Sequence, residues 1–426
     1  MEKITVLAAF DWLNNEEIIG TLGHERLRGS DIYSFEYSSS WLTNHKGLLL
    51  SDDLKPYSGI QYNIVPDKLF GCFSDALPDR WGRKLIDLRT RLNASNSKSS
   101  MKLSDWDYLK GVEDELRMGA LRFKDADSGK YIGFNSHEEV PPLLFLNDMV
   151  KAAHEVESKD YKHLEPEKKW IQRLFQPGTS MGGARPKACV KDEGKIYLAK
   201  FPSIKDEYDI SKWEYFASIM GKECGLNMAN SRLVPTEDGR HIFLSERFDR
   251  NECGKRLQTA SSMSLLGLND GDGQRTNKGY LDIVDFIISN NGDFVEHDLE
   301  ELYRRIAFSI CIGNTDDHFR NHAFLLTENG WHLSPAYDIN PSQGYSQALL
   351  ISEESNDSDL NQLYDSHENY MLDERTAFGI IKEVTRNMKY WESTAHRVGL
   401  TNSEIDLFKE RFENGIAWKY GGGIHR

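Results

Sequence analysis

Asp316, Asn321 and Asp338 are the residues whose types and spacing can do chemistry. They lie between Cys311 and Asp338, where an Asp-rich turn is followed by an amide five positions on and, past an apolar hairpin pattern, by a further carboxylate. Phosphoryl transfer asks for such a set. One carboxylate orients or deprotonates the attacking hydroxyl, while an Asn and a second carboxylate hold the magnesium ion that bridges the phosphates. The spacing also separates two adjacent aspartates. Five positions after Asp316 stands Asn321, whereas five after Asp317 stands His322, a poor magnesium ligand. Asp316 is therefore the candidate base. Read alone, the stretch would equally suit a polar turn between a buried helix and a hairpin, so the assignment needs partners elsewhere in the chain.

Those partners are a phosphate cradle and a lysine. Pro177 to Lys187 packs three glycines and two prolines into eleven residues, a loop whose backbone takes positive φ and comes close to something. Successive N–H groups around Gly182, Gly183 and Ala184 can form an anion nest, and Lys187 adds a positive charge. The Walker order of Gly, Lys and Ser/Thr is absent. Lys200 falls in a strand, Ile196–Phe201, that begins nine residues after the loop. From such a place a strand lysine grips the α- and β-phosphates in protein kinases. Glu214, on the helix that follows, is its candidate ion partner. The stretch Leu244–Asp249 stands where a cleft between two lobes would have its hinge, with backbone groups at Glu246 and Phe248 available to an adenine edge. His318 is expected to fix the turn of the catalytic loop, and Arg320 to neutralise phosphate charge. No His-Arg precedes Asp316 and no Asp-Phe-Gly is present, which argues against an ordinary protein-kinase domain.

Composition narrows the classes further. A chain of 426 residues with 39% hydrophobic and 11% aromatic content is globular, with room for two to four domains. A net charge of −15 argues against unaided nucleic-acid binding, which needs a basic footprint. The five cysteines are scattered, without a Cys-x-x-Cys pair, which suits a reducing cytosol and offers no zinc site. The first apolar run, Ile4–Phe10, is too short for a signal peptide, and no run approaches the ~20 apolar residues of a membrane span. The expectation is a cytoplasmic protein with no membrane partner.

Periodicity then sets out the elements. Short strands are expected at Ile4–Phe10, Glu17–Leu22 and Asp31–Tyr37, followed by helices over Lys84–Arg91 and Ser104–Leu116 and a strand at Met118–Phe123. Leu143–Phe175 reads as mostly helical. Strands at Ala188–Val190 and Ile196–Phe201, a helix at Ile210–Cys224, and strands at Arg232–Pro235 and His241–Phe248 complete a mixed portion. Beyond it the spacing is helical at Tyr280–Asn290, Leu299–Ile312, Glu374–Lys389 and Glu404–Tyr420, with Ile351–Asp365 read as a solvated acidic loop. Asp270–Gln274 begins like a calcium loop but lacks the glycine at its sixth position and the glutamate at its twelfth, and is rejected.

In this order the motifs make the chain similar to the HipA family of bacterial serine/threonine kinases, the toxins of toxin–antitoxin pairs. The resemblance rests on Ser180–Lys187, Ala199-Lys200-Phe-Pro, Glu246–Arg250, Gly313–Asn321 and Pro335-Ala-Tyr-Asp338, with Phe35-Glu-Tyr, Trp41-Leu42 and Leu77–Gly82 matching an additional amino-terminal subdomain. It implies an α+β, two-lobed kinase-like fold: an amino-terminal subdomain over 1–100, a mixed α/β lobe over 101–255 and an all-helical lobe over 256–426. It further implies ATP and Mg2+ as cofactors and Asp316 as catalytic base, with Asn321 and Asp338 on the metal. Gly182, Gly183, Ala184, Arg185, Pro186, Lys187 and Lys200 would hold phosphates. Glu246, Arg247 and Phe248 would bind adenine, and His318, Phe319, Arg320, Asn321 and Tyr337 would line the nucleotide.

Ser180 matches the serine that the family autophosphorylates. A dianionic phosphate there would repel the phosphates of ATP and draw the loop out of the cleft, an off-switch. The resemblance also implies a helix-turn-helix antitoxin of HipB type, DNA contact only through that partner, and a protein substrate such as an aminoacyl-tRNA synthetase. Arg185-Pro186 stands where some members have Gln-Glu, and Asp317 replaces a smaller residue; neither removes a needed group. A small-molecule or lipid kinase and a non-catalytic co-repressor remain as alternatives, because fold alone does not set the acceptor.

Overall fold

The protein was analysed as a computed structural model. It describes residues 1–93, 102–133, 140–158, 174, 183–269, 276–290 and 292–418. Chain order gives three sheets. The first runs β4-β3-β2-β1-β5, all antiparallel, from β1 (Glu2–Ala8), β2 (Glu17–Leu27), β3 (Ser30–Tyr37), β4 (Ile60–Tyr62) and β5 (Leu121–Asp125). In β1, alternation puts Ile4, Val6 and Ala8 into the core. β2 runs five residues past the expected Leu22, because Arg28 and Gly29 both take positive φ. That two-residue turn matches the twist of the strands and keeps them paired to Leu27↔Ser30.

A boundary at residue 100 cuts this first unit. β5 pairs with β1 from Ile4↔Asp125 to Ala8↔Leu121, so the amino-terminal sheet is closed by residues beyond the helix Asp105–Gly111. Proximity to β1, not order along the chain, sets the edge of the unit.

The second sheet, β6-β7-β9-β8, comprises β6 (Lys187–Asp192), β7 (Lys195–Lys200), β8 (Ser231–Pro235) and β9 (His241–Glu246). Glu193 and Gly194, both at positive φ, turn β6 into β7. Helix Ile210–Glu223 lies between β7 and β8 in the chain, and Asp209 caps its start by accepting from the Lys212 N–H at 3.2 Å. One face of this sheet packs with Trp81, Leu85 and Leu88 of helix Arg80–Asn93 and with Met149, Val150 and Ala153 of helix Leu146–Glu157. The amino-terminal unit thus supplies part of the small lobe's core. Of the helix expected over Leu143–Phe175, Leu146–Glu157 is described; Asp270–Gln274 lies outside the described residues.

The carboxy-terminal lobe is helical around Tyr280–Asn290, Val295–Ile312, Glu374–Met388, Trp391–Val398 and Asn402–Ile416. It also holds the third sheet, β10-β11-β12, from β10 (Thr259–Ser261), β11 (Ala323–Thr327) and β12 (Gly330–Leu333), so it is not helical throughout. The acidic stretch Ile351–Asp365 is only partly solvated. Ile351, Leu360 and Leu363 are buried, and Leu360–Asp365 forms a helix capped by Asp359. Helix Val295–Ile312 ends at Gly313, whose φ of +72° releases the chain into the Asp-rich turn.

A buried ion cluster ties the amino-terminal unit to the hinge. Asp249 accepts from Arg247 at 2.6 and 2.8 Å and from the Gly119 N–H at 2.8 Å, while Arg247 also donates to the Leu116 and Arg117 carbonyls. Burial would raise the Asp249 carboxyl, but the charges of Arg247 and Arg250 hold it well below the usual carboxylate range. Asp249→Ala would leave Arg247 buried without its counter-charge. The expected loss is about 3–5 kcal/mol, read as a lower urea midpoint.

Candidate active site

Lys200 ends β7 with its ammonium buried, and it bonds both to Glu214 Oε1, from helix Ile210–Glu223, and to Asp338 Oδ1. The suggested Lys200–Glu214 pair is therefore present, and a third charge joins it. Burial alone would depress the lysine, but the two carboxylates hold its pKa above the ordinary value. The same charge balance pulls Asp338 down to about 2, although burial would raise it. Glu214, more deeply buried, is held above its usual range by desolvation. Asp338 takes φ +57°, a left-handed conformation that Asp tolerates better than most residues. This turn brings the carboxylate back toward β7.

Asp316 and Asn321 meet in the loop after Gly313. The Asn321 amide donates to the Asp316 carbonyl at 3.1 Å, and the His318 N–H donates to that same oxygen at 3.0 Å. The backbone at His318 thus helps hold the turn. The two neighbouring aspartates divide as the spacing requires. Asp317 is buried, accepting from Tyr280 Oη at 2.7 Å and facing His322 Nε2 at 2.9 Å, whereas Asp316 is exposed to the cleft. Partial desolvation raises the Asp316 carboxyl, and Asp338 and Asp317 add to the shift, against the opposing fields of His318 and Arg80. A raised but ionisable carboxylate suits a general base.

The metal test turns on oxygen donors. Asn321 Oδ1 is buried and has no hydrogen-bond partner among the described residues, an orphaned acceptor of the kind a hard cation satisfies. Asn340 Oδ1 is another, and the Asn340 amide donates to Asp338 Oδ1 at 3.3 Å. Among the described residues no group of three or more His, Cys, Asp or Glu is placed to hold an ion. Magnesium does not need one, since it keeps waters and phosphate oxygens beside one or two protein ligands.

Two hollows flank these groups. A narrow pocket is lined by Met118, Leu198, Ser245, Phe248 and Tyr337, with Lys200 and Asp338 at its polar end. Phe248 and Tyr337 lie with ring centroids 5.4 Å apart, and Tyr337 is fixed by its hydroxyl bond to the Arg320 carbonyl at 2.6 Å. A wider cavity of about 730 Å3 opens in front of Asp316, His318, Phe319 and Arg320 and reaches Gly183, Ala184, Asp79 and Arg80. His318, Phe319 and Arg320 therefore line this cavity rather than the narrow pocket.

Several assignments need correction. Arg185 is held by Asp206 in a two-bond fork at 2.6 and 2.9 Å, and so stabilises the loop's base instead of facing phosphate. The Arg247 guanidinium is consumed by Asp249 and two carbonyls, leaving only part of the residue to line the narrow pocket. The Glu246 side chain pairs with Lys195 at 2.7 Å. Its N–H donates to the Asn230 carbonyl, although the residue lines the narrow pocket. Arg320 donates to Met263 Sδ at 3.5 Å, and its field reaches buried Asp75, which places its charge at the domain junction. The Pro186 carbonyl accepts from the Phe201 N–H at 2.8 Å. Ser180 and Gly182 lie outside the described residues.

Lys187 is buried against Asp79 at 3.0 Å, and its carbonyl accepts from Trp81 Nε1 at 3.0 Å. At Gly183, φ +105°, an added Cβ would come within 2.5 Å of Lys187 Nζ, so the loop closes directly over this ammonium. Asp79, Met118 and Asn340 were missed in the sequence. Asp79 stands in the noted Leu77–Gly82 motif, but no chemistry attaches to it until the fold carries it across to Lys187.

Two family models match successive stretches of the chain. The HipA-like C-terminal domain covers residues 179–391, and the HipA N-terminal domain covers 11–124.

The chain belongs to the HipA family.

A chain of the Shewanella oneidensis MR-1 HipA, HipB and operator DNA complex has the same fold. It aligns at TM-score 0.67 over 97% of this chain and 96% of its own, with 15% identity. A Haemophilus influenzae protein described as a candidate kinase is 25% identical over 257 residues, 52% of this chain and 74% of its own. The HipA fold thus accounts for both lobes and the added amino-terminal unit. No helix among the described residues is long and apolar enough to cross a membrane.

Lys200→Met would leave Glu214 and Asp338 facing each other without their cation. Their folded-state pKa values should then rise above the unfolded ones, so the variant gains stability as pH falls from about 7 to 5. The thermal midpoint of the variant minus that of the wild type, followed against pH, should climb toward acid.

Proposed function

We propose that this HipA-family chain is an ATP- and magnesium-dependent kinase acting on a serine or threonine hydroxyl of a protein. The observation that carries the reading is the convergence of Lys200, Asp338, Asn321 and Asp316 between two hollows, one apolar and one wide. The apolar pocket at Phe248 and Tyr337 suits a purine ring. Lys200, already charged and buried, would exchange its carboxylates for the α- and β-phosphates. Lys187, under the loop at Gly183, would meet the outer phosphates. Asn321 and Asp338, with Asn340 beside them, would hold magnesium, which supplies charge neutralisation for the phosphates. Asp316 is left to face the acceptor hydroxyl and take its proton as the bond from the acceptor oxygen to the γ-phosphorus forms and the bond from that phosphorus to the β–γ bridging oxygen breaks, releasing ADP.

The same reading makes the chain the toxin of a toxin–antitoxin pair. Its partner would be a helix-turn-helix antitoxin of HipB type, by analogy with the Shewanella complex that contains HipB and DNA. A net charge of −15 fits contact with DNA through that partner. An aminoacyl-tRNA synthetase is the proposed substrate class, and phosphorylation of Ser180 the proposed off-switch. Both follow from the family resemblance.

The test is transfer of labelled γ-phosphate from ATP to the chain itself and to lysate proteins. Wild type should label both, and Asp316→Asn should lower transfer by about 10^2–10^4-fold while ATP still binds. Equal labelling by the variant would end the reading. The wild-type rate should fall on the acid side with a midpoint above ~3.9, because the Asp316 carboxyl is raised.

A further inference from the structure

The wide cavity in front of Asp316 has one wall from the amino-terminal unit. Several charges on that wall are paired or hydrogen-bonded within the protein. Arg83 pairs with Asp105 at 2.9 Å, Asp79 with Lys187 at 3.0 Å, and Asp53 accepts from the Gly71 N–H at 2.8 Å and Ser51 Oγ at 2.6 Å. Two cations are not spent in this way. Arg80 and Lys68 are exposed, and neither side chain makes a hydrogen bond or ion pair with a described residue. Arg80 also occupies the first turn of helix Arg80–Asn93, whose start Asp79 caps through the Gly82 N–H at 2.8 Å. A cation there opposes the helix dipole, so local stability does not explain it. Its field nonetheless reaches Asp316.

We propose that this cavity is the acceptor site and that Arg80 and Lys68 recognise a carboxylate beside the acceptor hydroxyl, selecting an acidic peptide segment. The site rests on the kinase reading and deepens it. The amino-terminal unit thereby takes part in choosing the substrate. An acidic side chain next to the acceptor would pair with Arg80 while its neighbouring hydroxyl meets Asp316. A basic neighbour would be repelled by the same residues.

The experiment uses the full chain, labelled ATP and an array of serine- and threonine-centred peptides varied at each flanking position. Wild type should label peptides with Asp or Glu within two positions of the acceptor at least about fivefold better than their Lys counterparts. R80E should level or invert that preference, K68E should weaken it, and R80Q should lie between. ATP affinity, measured by calorimetry with a non-hydrolysable analogue, should stay within about twofold in all three. No acidic preference in wild type, or one that R80E leaves intact, overturns the proposal. So does an equal loss on every peptide with weakened ATP binding, which would place Arg80 on the γ-phosphate. Labelling of the chain itself but of no peptide also overturns it. Labelling of nothing at all instead overturns the kinase reading beneath it.

Discussion

The site depends on keeping one ammonium between two carboxylates in a place water barely reaches. Lys200, Glu214 and Asp338 come from a strand, a helix and a loop, the loop lying more than a hundred positions beyond the other two. Burying any one of them alone would cost several kcal/mol. Together they set two carboxylates against a single ammonium. The small lobe is built to hold this arrangement. β7 presents the lysine, the Asp209-capped helix presents the glutamate, and the left-handed turn at Asp338 closes the triangle.

The second constraint is the junction between units. Asp249 and Arg247 stitch the hinge to the backbone at Leu116–Gly119, and Trp81 and Asp79 stitch the amino-terminal unit to Lys187. The amino-terminal unit is therefore no appendage. It contributes to the small lobe's core, to the wall of the wide cavity, and to the setting of buried Lys187.

Much of this was legible in the chain itself. The five-residue step from Asp316 to Asn321 picked the exposed aspartate over the buried one, and the lysine–glutamate pair lay where strand and helix patterns put it. Arg185 and Arg247 were read wrongly for one physical reason. A guanidinium goes to the nearest well-placed carboxylate, and Asp206 and Asp249 hold these two. No local pattern announces which carboxylate will fold onto which arginine. Asp79 and Arg80 were invisible for the complementary reason, since their chemistry exists only once two units dock. The boundary at 100 failed likewise, because β5 reaches β1 through space.

That pairing of β5 with β1, and of residue 338 with residue 200, also orders events during synthesis. The first sheet cannot close until the segment past residue 125 has left the ribosome, and Lys200 lacks one of its two carboxylates until Asp338 has followed. A nascent chain therefore lacks the Lys200–Glu214–Asp338 cluster until nearly four-fifths of its length has emerged.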